Sequence, residues 1–82
     1  MRKRDKFIQK LMGGKSDATI DFSQLLSLLA SLGFDVRTEG SHHVVTKDGV
    51  EKLINLQPDG RHVKPFQVKQ VRAVLAKHKL AE

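Results

Sequence analysis

The sequence predicts an α+β domain in which a three-stranded antiparallel sheet packs against helices. Apolar residues recur at helical spacing in two N-terminal segments and in one C-terminal segment. Between these segments, apolar and polar residues alternate as in strands with one solvated face, and Asp48-Gly49 is a strong signal for a two-residue hairpin turn. The predicted order is helix, helix, strand, strand, strand, helix.

The N-terminal third predicts two helices. The first, at about 4–12, carries its apolar residues on one side, and its many Lys and Arg residues either contact phosphates or form a solvated face. The second is expected at 22–32 and has a clear start, because Asp21 is placed as the N-cap and Gln24 completes a capping box. Gly33 suits its C-cap.

The strands and the last helix follow in order. Alternation predicts a strand at 34–39, a second at 42–47 and a third at 50–56. The last helix is expected to begin near Pro65, where proline fits the first helical position. Its inward face is predicted to carry Val68, Val71, Val74, Leu75 and His78.

Length and composition limit the class of protein. The 82 residues are expected to form a single domain, 1–82, with no room for a large substrate pocket. A formal net charge of +6 favours a polyanionic partner such as nucleic acid, although such a charge can also serve solubility alone. The chain has no cysteine and no apolar run near the ~20 residues of a membrane span. We therefore expect a cytoplasmic protein that does not enter the membrane.

The candidate active site is the central stretch GSHHVV, residues 40–45. Gly40 and Ser41 suit a tight turn and the valines favour a strand, so the turn brings two imidazoles to the start of a strand. Histidine can accept and return a proton near neutral pH. Because neighbouring strand residues point to opposite faces, at most one of His42 and His43 is expected to be catalytic. Alternatively, one is a half-buried strand residue and the other is solvated.

Histidine in a chain rich in Lys and Arg suits RNA cleavage without a metal or another cofactor. The 2′-hydroxyl of RNA is an internal nucleophile that a histidine can deprotonate, while cations stabilise the charge that develops on the phosphate. Lys47, Arg61 and Lys64 are the candidates for phosphate binding. His62 and His78 lack the spacing of zinc ligands. A non-catalytic RNA-binding module and a protein-binding domain remain the alternatives.

Three motifs, in this order along the chain, resemble the HicA toxins of type II toxin–antitoxin systems. They are GSHH at 40–43, INLQPDG at 54–60 and KPFQVKQV at 64–71. The resemblance covers nearly the whole chain. It implies a fold like that of a double-stranded RNA-binding domain, endoribonuclease activity on mRNA, and a HicB-like antitoxin that masks the site.

The same resemblance implies roles for single residues. The catalytic histidine of the family maps onto His42, with His43 as the alternative, and Gly40 and Ser41 match the turn that presents it to RNA. Compact members of the family begin at the helix predicted here at 22–32. The helix at about 4–12 is therefore an addition in this chain.

Overall fold

The computed structural model describes residues 2–80, and the α+β class and the three-stranded antiparallel sheet are confirmed. The helices are α1 (Lys3–Gly13), α2 (Phe22–Ser31) and α3 (Pro65–Lys77), and the strands are β1 (Asp35–Glu39), β2 (His42–Lys47), β3 (Val50–Leu56), β4 (Pro58–Asp59) and β5 (His62–Val63). A single turn of 3₁₀ helix at Asp17–Thr19 lies between α1 and α2. Within residues 2–80, no helix combines the length and the apolar character needed to cross a membrane.

The sheet has one covered face and one open face. β2 is central and pairs antiparallel with β1 and β3. Val45 lies opposite Ile54, and both are buried in the core with Leu56. The other side of the sheet, called the open face below, consists of half-buried Val44 and a surrounding set of exposed residues. That set is Asp35, Arg37, Glu39, His42, Thr46, Leu53 and Asn55.

Gly33 ends α2 in the left-handed conformation as predicted, but α2 ends at Ser31 and the first strand starts one residue later than predicted. The Phe34 N–H donates to the Leu29 carbonyl at 3.0 Å, and the Gly33 N–H donates to the Ala30 carbonyl at 3.1 Å. This is the pattern of a Schellman motif, and the φ of +96° at Gly33 is the left-handed conformation that it requires. Phe34 is thus buried as part of the helix terminus, and β1 starts one residue later, at Asp35.

A second, small hairpin lies between β3 and α3. β4 pairs with β5 through Pro58 opposite Val63 and Asp59 opposite His62. The Val63 N–H donates to the Ile20 carbonyl, and the Phe22 N–H donates to the Arg61 carbonyl, each at 2.9 Å. These partners lie about forty residues apart in the chain, so local sequence patterns could not predict the pairing.

The N-terminal helix packs on the rest of the domain. Leu11 is fully buried in the core, and Arg72 of α3 donates from Nη1 to its carbonyl at 3.2 Å. The same guanidinium forms two hydrogen bonds with the Asp17 carboxylate, at 2.7 and 3.1 Å. We call this contact of Leu11, Asp17 and Arg72 the arginine clamp.

α3 closes the core from the helical side. The predicted inward residues Val68, Val71, Val74 and Leu75 are buried, and His78, just past the helix, is half-buried. Gln67 is also buried, and its Oε1 accepts a hydrogen bond from the Gln57 N–H at 2.9 Å. This bond joins the first turn of α3 to the end of β3, since Gln57 directly follows Leu56.

Candidate active site

The turn before β2 brings both histidines to one end of the sheet. Gly40 and Ser41 form a two-residue connection, and Glu39 lies opposite His42 in the ladder. Gly40 has a φ of 62°, which glycine adopts without the steric cost that a side chain would add. The end of the molecule that contains this turn, the start of β2 and the end of β3 is called the histidine end below.

The two histidines face opposite sides of the sheet. His43 lies opposite Leu56 and shares the covered face with Val45, whereas His42 is exposed on the open face. The His43 ring meets the ring of Phe22 edge to face, with centroids 4.9 Å apart. Its Nδ1 is buried and has no hydrogen-bond partner among residues 2–80. His42 is therefore accessible to a large ligand, and His43 is held in place by packing.

His42 has charged neighbours that the sequence prediction did not include. Glu39 is directly across the ladder from it, and Arg37 lies opposite Val44 on the same open face. Side chains in such cross-strand positions are about 4.5–5.5 Å apart at Cβ, and diagonal neighbours are about 7–8 Å apart. Arg37 Nη1 is 3.9 Å from Glu39 Oε1, and both side chains are exposed. The period-two alternation combined with a two-residue turn could have identified both residues.

Arg61 and Lys64 lie at the same end, on the side of the helices. The Arg61 carbonyl accepts a hydrogen bond from the N–H of Phe22, the first residue of α2. The Arg61 guanidinium lies 3.7 Å from the Asp21 carboxylate. His62 is half-buried and forms an isolated bridge with Asp21. Lys64 is the N-cap residue of α3. Arg61 and His62 thus lie beside Asp21 and Phe22 at the start of α2.

Lys47 is separated from the histidine end. It is the last residue of β2, five positions after His42, which corresponds to about 17 Å along an extended strand. The Lys47 Nζ lies so close to Gly33 that a Cβ added to Gly33 would be 2.7 Å from this nitrogen. Lys47 is thus not brought together with Gly40, Ser41 and His42.

Among residues 2–80, no group of three or more His, Asp or Glu side chains is arranged to hold a metal ion. No family model, curated protein or solved structure matches this chain. The residues at the histidine end and the motifs at 40–43, 54–60 and 64–71 are therefore the features from which a function can be inferred.

Proposed function

We propose that this chain is a metal-independent endoribonuclease toxin of a type II toxin–antitoxin system, with a fold like that of a double-stranded RNA-binding domain. The observation that carries the proposal is the position of His42, which is exposed directly after a tight turn and lies across the ladder from Glu39. Arg37 on the same face and the net charge of +6 are suited to a phosphate backbone.

The proposed reaction is an internal transesterification of RNA. His42 accepts the proton of a 2′-hydroxyl, and the oxygen attacks the adjacent phosphorus while the bond from phosphorus to the 5′-oxygen breaks. The leaving 5′-oxygen takes a proton from water, or the one that His42 gained. The products are a 2′,3′-cyclic phosphate and a 5′-hydroxyl. Proton transfer by a positioned side chain typically contributes about 10²–10⁴-fold to the rate.

Neighbouring groups would assist this step. The Glu39 carboxylate can orient the imidazole and stabilise its protonated form, as acidic partners of catalytic histidines do. The Arg37 guanidinium can stabilise the negative charge that grows on the phosphate oxygens. In this scheme His43 acts through packing, because its ring is fixed against Phe22 on the other face.

The proposed macromolecular partners are mRNA and a HicB-like antitoxin in the cytoplasm. The open face is exposed, so a partner protein could cover His42 and block access of RNA. The antitoxin is proposed from the motif resemblance, since GSHH, INLQPDG and KPFQVKQV occur in that order.

The decisive experiment compares the wild type with His42→Ala and His43→Phe. Phenylalanine at position 43 keeps an aromatic ring against Phe22 but has no basic nitrogen. We expect growth arrest and RNA cleavage with the wild type and His43→Phe, and a loss of cleavage of at least about 10²-fold with His42→Ala. Cleavage should persist in EDTA and leave 2′,3′-cyclic phosphate ends. Circular dichroism checks that each variant is folded.

The opposite pattern would reject this assignment. If folded His42→Ala cleaves like the wild type while His43→Phe does not, His43 is the base. If none of the three proteins cleaves RNA, the enzyme proposal fails.

A non-catalytic RNA-binding module is the second candidate, and Phe66 favours it. This aromatic side chain on α3 is 58% exposed and is available to a base. Such a module would bind RNA with a steep salt dependence and leave the RNA intact. Binding and cleavage measured on the same labelled RNA distinguish the two candidates.

A further inference from the structure

Phe66 is more exposed to solvent than the other three phenylalanines. Phe34 is buried, and Phe7 and Phe22 are partly buried against the core, whereas Phe66 is 58% exposed on the first turn of α3. Burial of a phenylalanine side chain removes a large apolar surface from water and stabilises the fold. The exposed Phe66 side chain therefore stabilises the fold less than the other three phenylalanine side chains do.

The surroundings of Phe66 are polar and basic. Lys69 and Gln70 lie three and four positions further along α3 and are exposed on the same side of the helix. Lys64 precedes the helix and is half-buried. A lone aromatic side chain between lysines differs from the centre of a protein–protein interface, which is typically depleted in lysine. It matches sites for single-stranded nucleic acid, where aromatic side chains stack on bases beside cations.

The first turn of α3, where Phe66 lies, is hydrogen-bonded to the residue that follows β3. Gln67, the residue after Phe66, accepts a hydrogen bond from the Gln57 N–H through its side-chain oxygen. Gln57 directly follows Leu56, and Leu56 lies opposite His43 in the sheet. One side-chain hydrogen bond and one strand pairing therefore connect the start of α3 to His43.

We propose that Phe66 stacks on an unpaired base of the RNA and that the substrate is consequently single-stranded at this position. This inference rests on the RNA binding in the proposed function and adds a residue that selects the form of the substrate. Bases in a duplex are already stacked on one another, so their faces are not available to the ring. Lys64 and Lys69 would contact the flanking phosphates.

The test measures RNA affinity of Phe66→Ala, Phe66→Leu and Phe66→Trp in a His42→Ala background, which keeps the RNA uncut. The probes are a fluorescent single-stranded oligonucleotide and a blunt duplex of the same sequence. Loss of one stacked base typically weakens binding by about 5- to 150-fold. We expect such a loss for Ala, a partial loss for Leu, and near-normal affinity for Trp with its fluorescence quenched by RNA. Duplex affinity should not change.

Each other outcome rejects the inference. If Phe66→Ala binds the single strand like its parent, Phe66 does not stack, and loss of antitoxin binding by that variant would assign the side chain to a protein interface. If the wild type cleaves RNA but Phe66→Ala does not weaken binding of the single strand, the proposed function is supported and the inference about Phe66 fails. If no variant and not even the wild type binds RNA, both proposals fail.

Discussion

His42 and His43 are neighbours in the chain with different physical environments. His42 is exposed on the open face, so its imidazole can exchange protons with a ligand. His43 has its Nδ1 buried without a partner among residues 2–80, and its ring lies against Phe22. A buried polar atom without a hydrogen bond costs about 1–3 kcal/mol. The edge-to-face ring contact offsets part of this cost.

We therefore predict that His43→Phe stabilises the protein by about 1 kcal/mol, because it removes the unpaired nitrogen and keeps the ring contact. His43→Ala should destabilise it by about 2 kcal/mol through lost packing. Urea unfolding followed by circular dichroism measures both changes. His42→Phe is the control, and its effect should be within about 0.5 kcal/mol because the site is exposed. A destabilised His43→Phe protein would mean that Nδ1 has a water partner.

At the scale of elements, the arginine clamp connects α1 to α3. Arg72 donates to both oxygens of Asp17 and to the Leu11 carbonyl at the end of α1. The hydrogen bonds from Arg72 lower the pKa of the Asp17 carboxyl below its usual 3.8, and partial burial opposes this shift. The same contact raises the pKa of Arg72. The clamp thus requires an ionised Asp17.

The clamp predicts a loss of stability in acid. Because the Asp17 pKa is lower in the folded than in the unfolded protein, its contribution is complete above about pH 4 to 5 and disappears as pH falls through the folded pKa. Asp17→Asn should cost about 1–3 kcal/mol at pH 7 and have less effect near pH 2. Urea unfolding at both pH values measures this difference.

Arg72→Lys serves as the matched variant for this prediction. It keeps the positive charge but cannot form two parallel hydrogen bonds with Asp17, so it should lose much of the stability. If Asp17→Asn costs the same at pH 7 and pH 2, ionisation of Asp17 does not contribute.

At the scale of the whole molecule, basic residues differ in how far they lie from His42 at the histidine end. Arg37 shares the open face with His42, whereas Lys47 lies about 17 Å from His42 along β2. A cation that contacts a phosphate releases counterions, so its removal changes the salt dependence of binding as well as the affinity.

We predict that Arg37→Ala weakens RNA binding and reduces the slope of log affinity against log salt by about one. Lys47→Ala should leave both quantities unchanged and is the control of equal charge change. Titrations of a labelled single-stranded RNA at several salt concentrations give these slopes. An effect of Lys47→Ala equal to that of Arg37→Ala would mean that RNA binds along the length of β2.

Local signals in the sequence were enough to predict most of the fold. Asp21 caps α2 as expected, with its Oδ1 accepting from the Gln24 N–H at 2.9 Å, and Asp48-Gly49 joins two paired strands. These features depend on residues a few positions apart, whose preferred geometry is decided by nearby backbone and side-chain atoms. The turn at Gly40 and the presence of histidines at the start of β2 were predictable for the same reason.

The sequence alone therefore determined the α+β class, the order of the main elements and the stretch that contains the candidate active site. Only the tertiary structure decided which histidine is accessible, because the helices cover one face of the sheet and bury Val45 on the side of His43. It also decided the β4–β5 hairpin and the arginine clamp, whose partners Arg72 and Leu11 are 61 residues apart. Contacts at such separation depend on how whole elements pack, and no short sequence pattern encodes them.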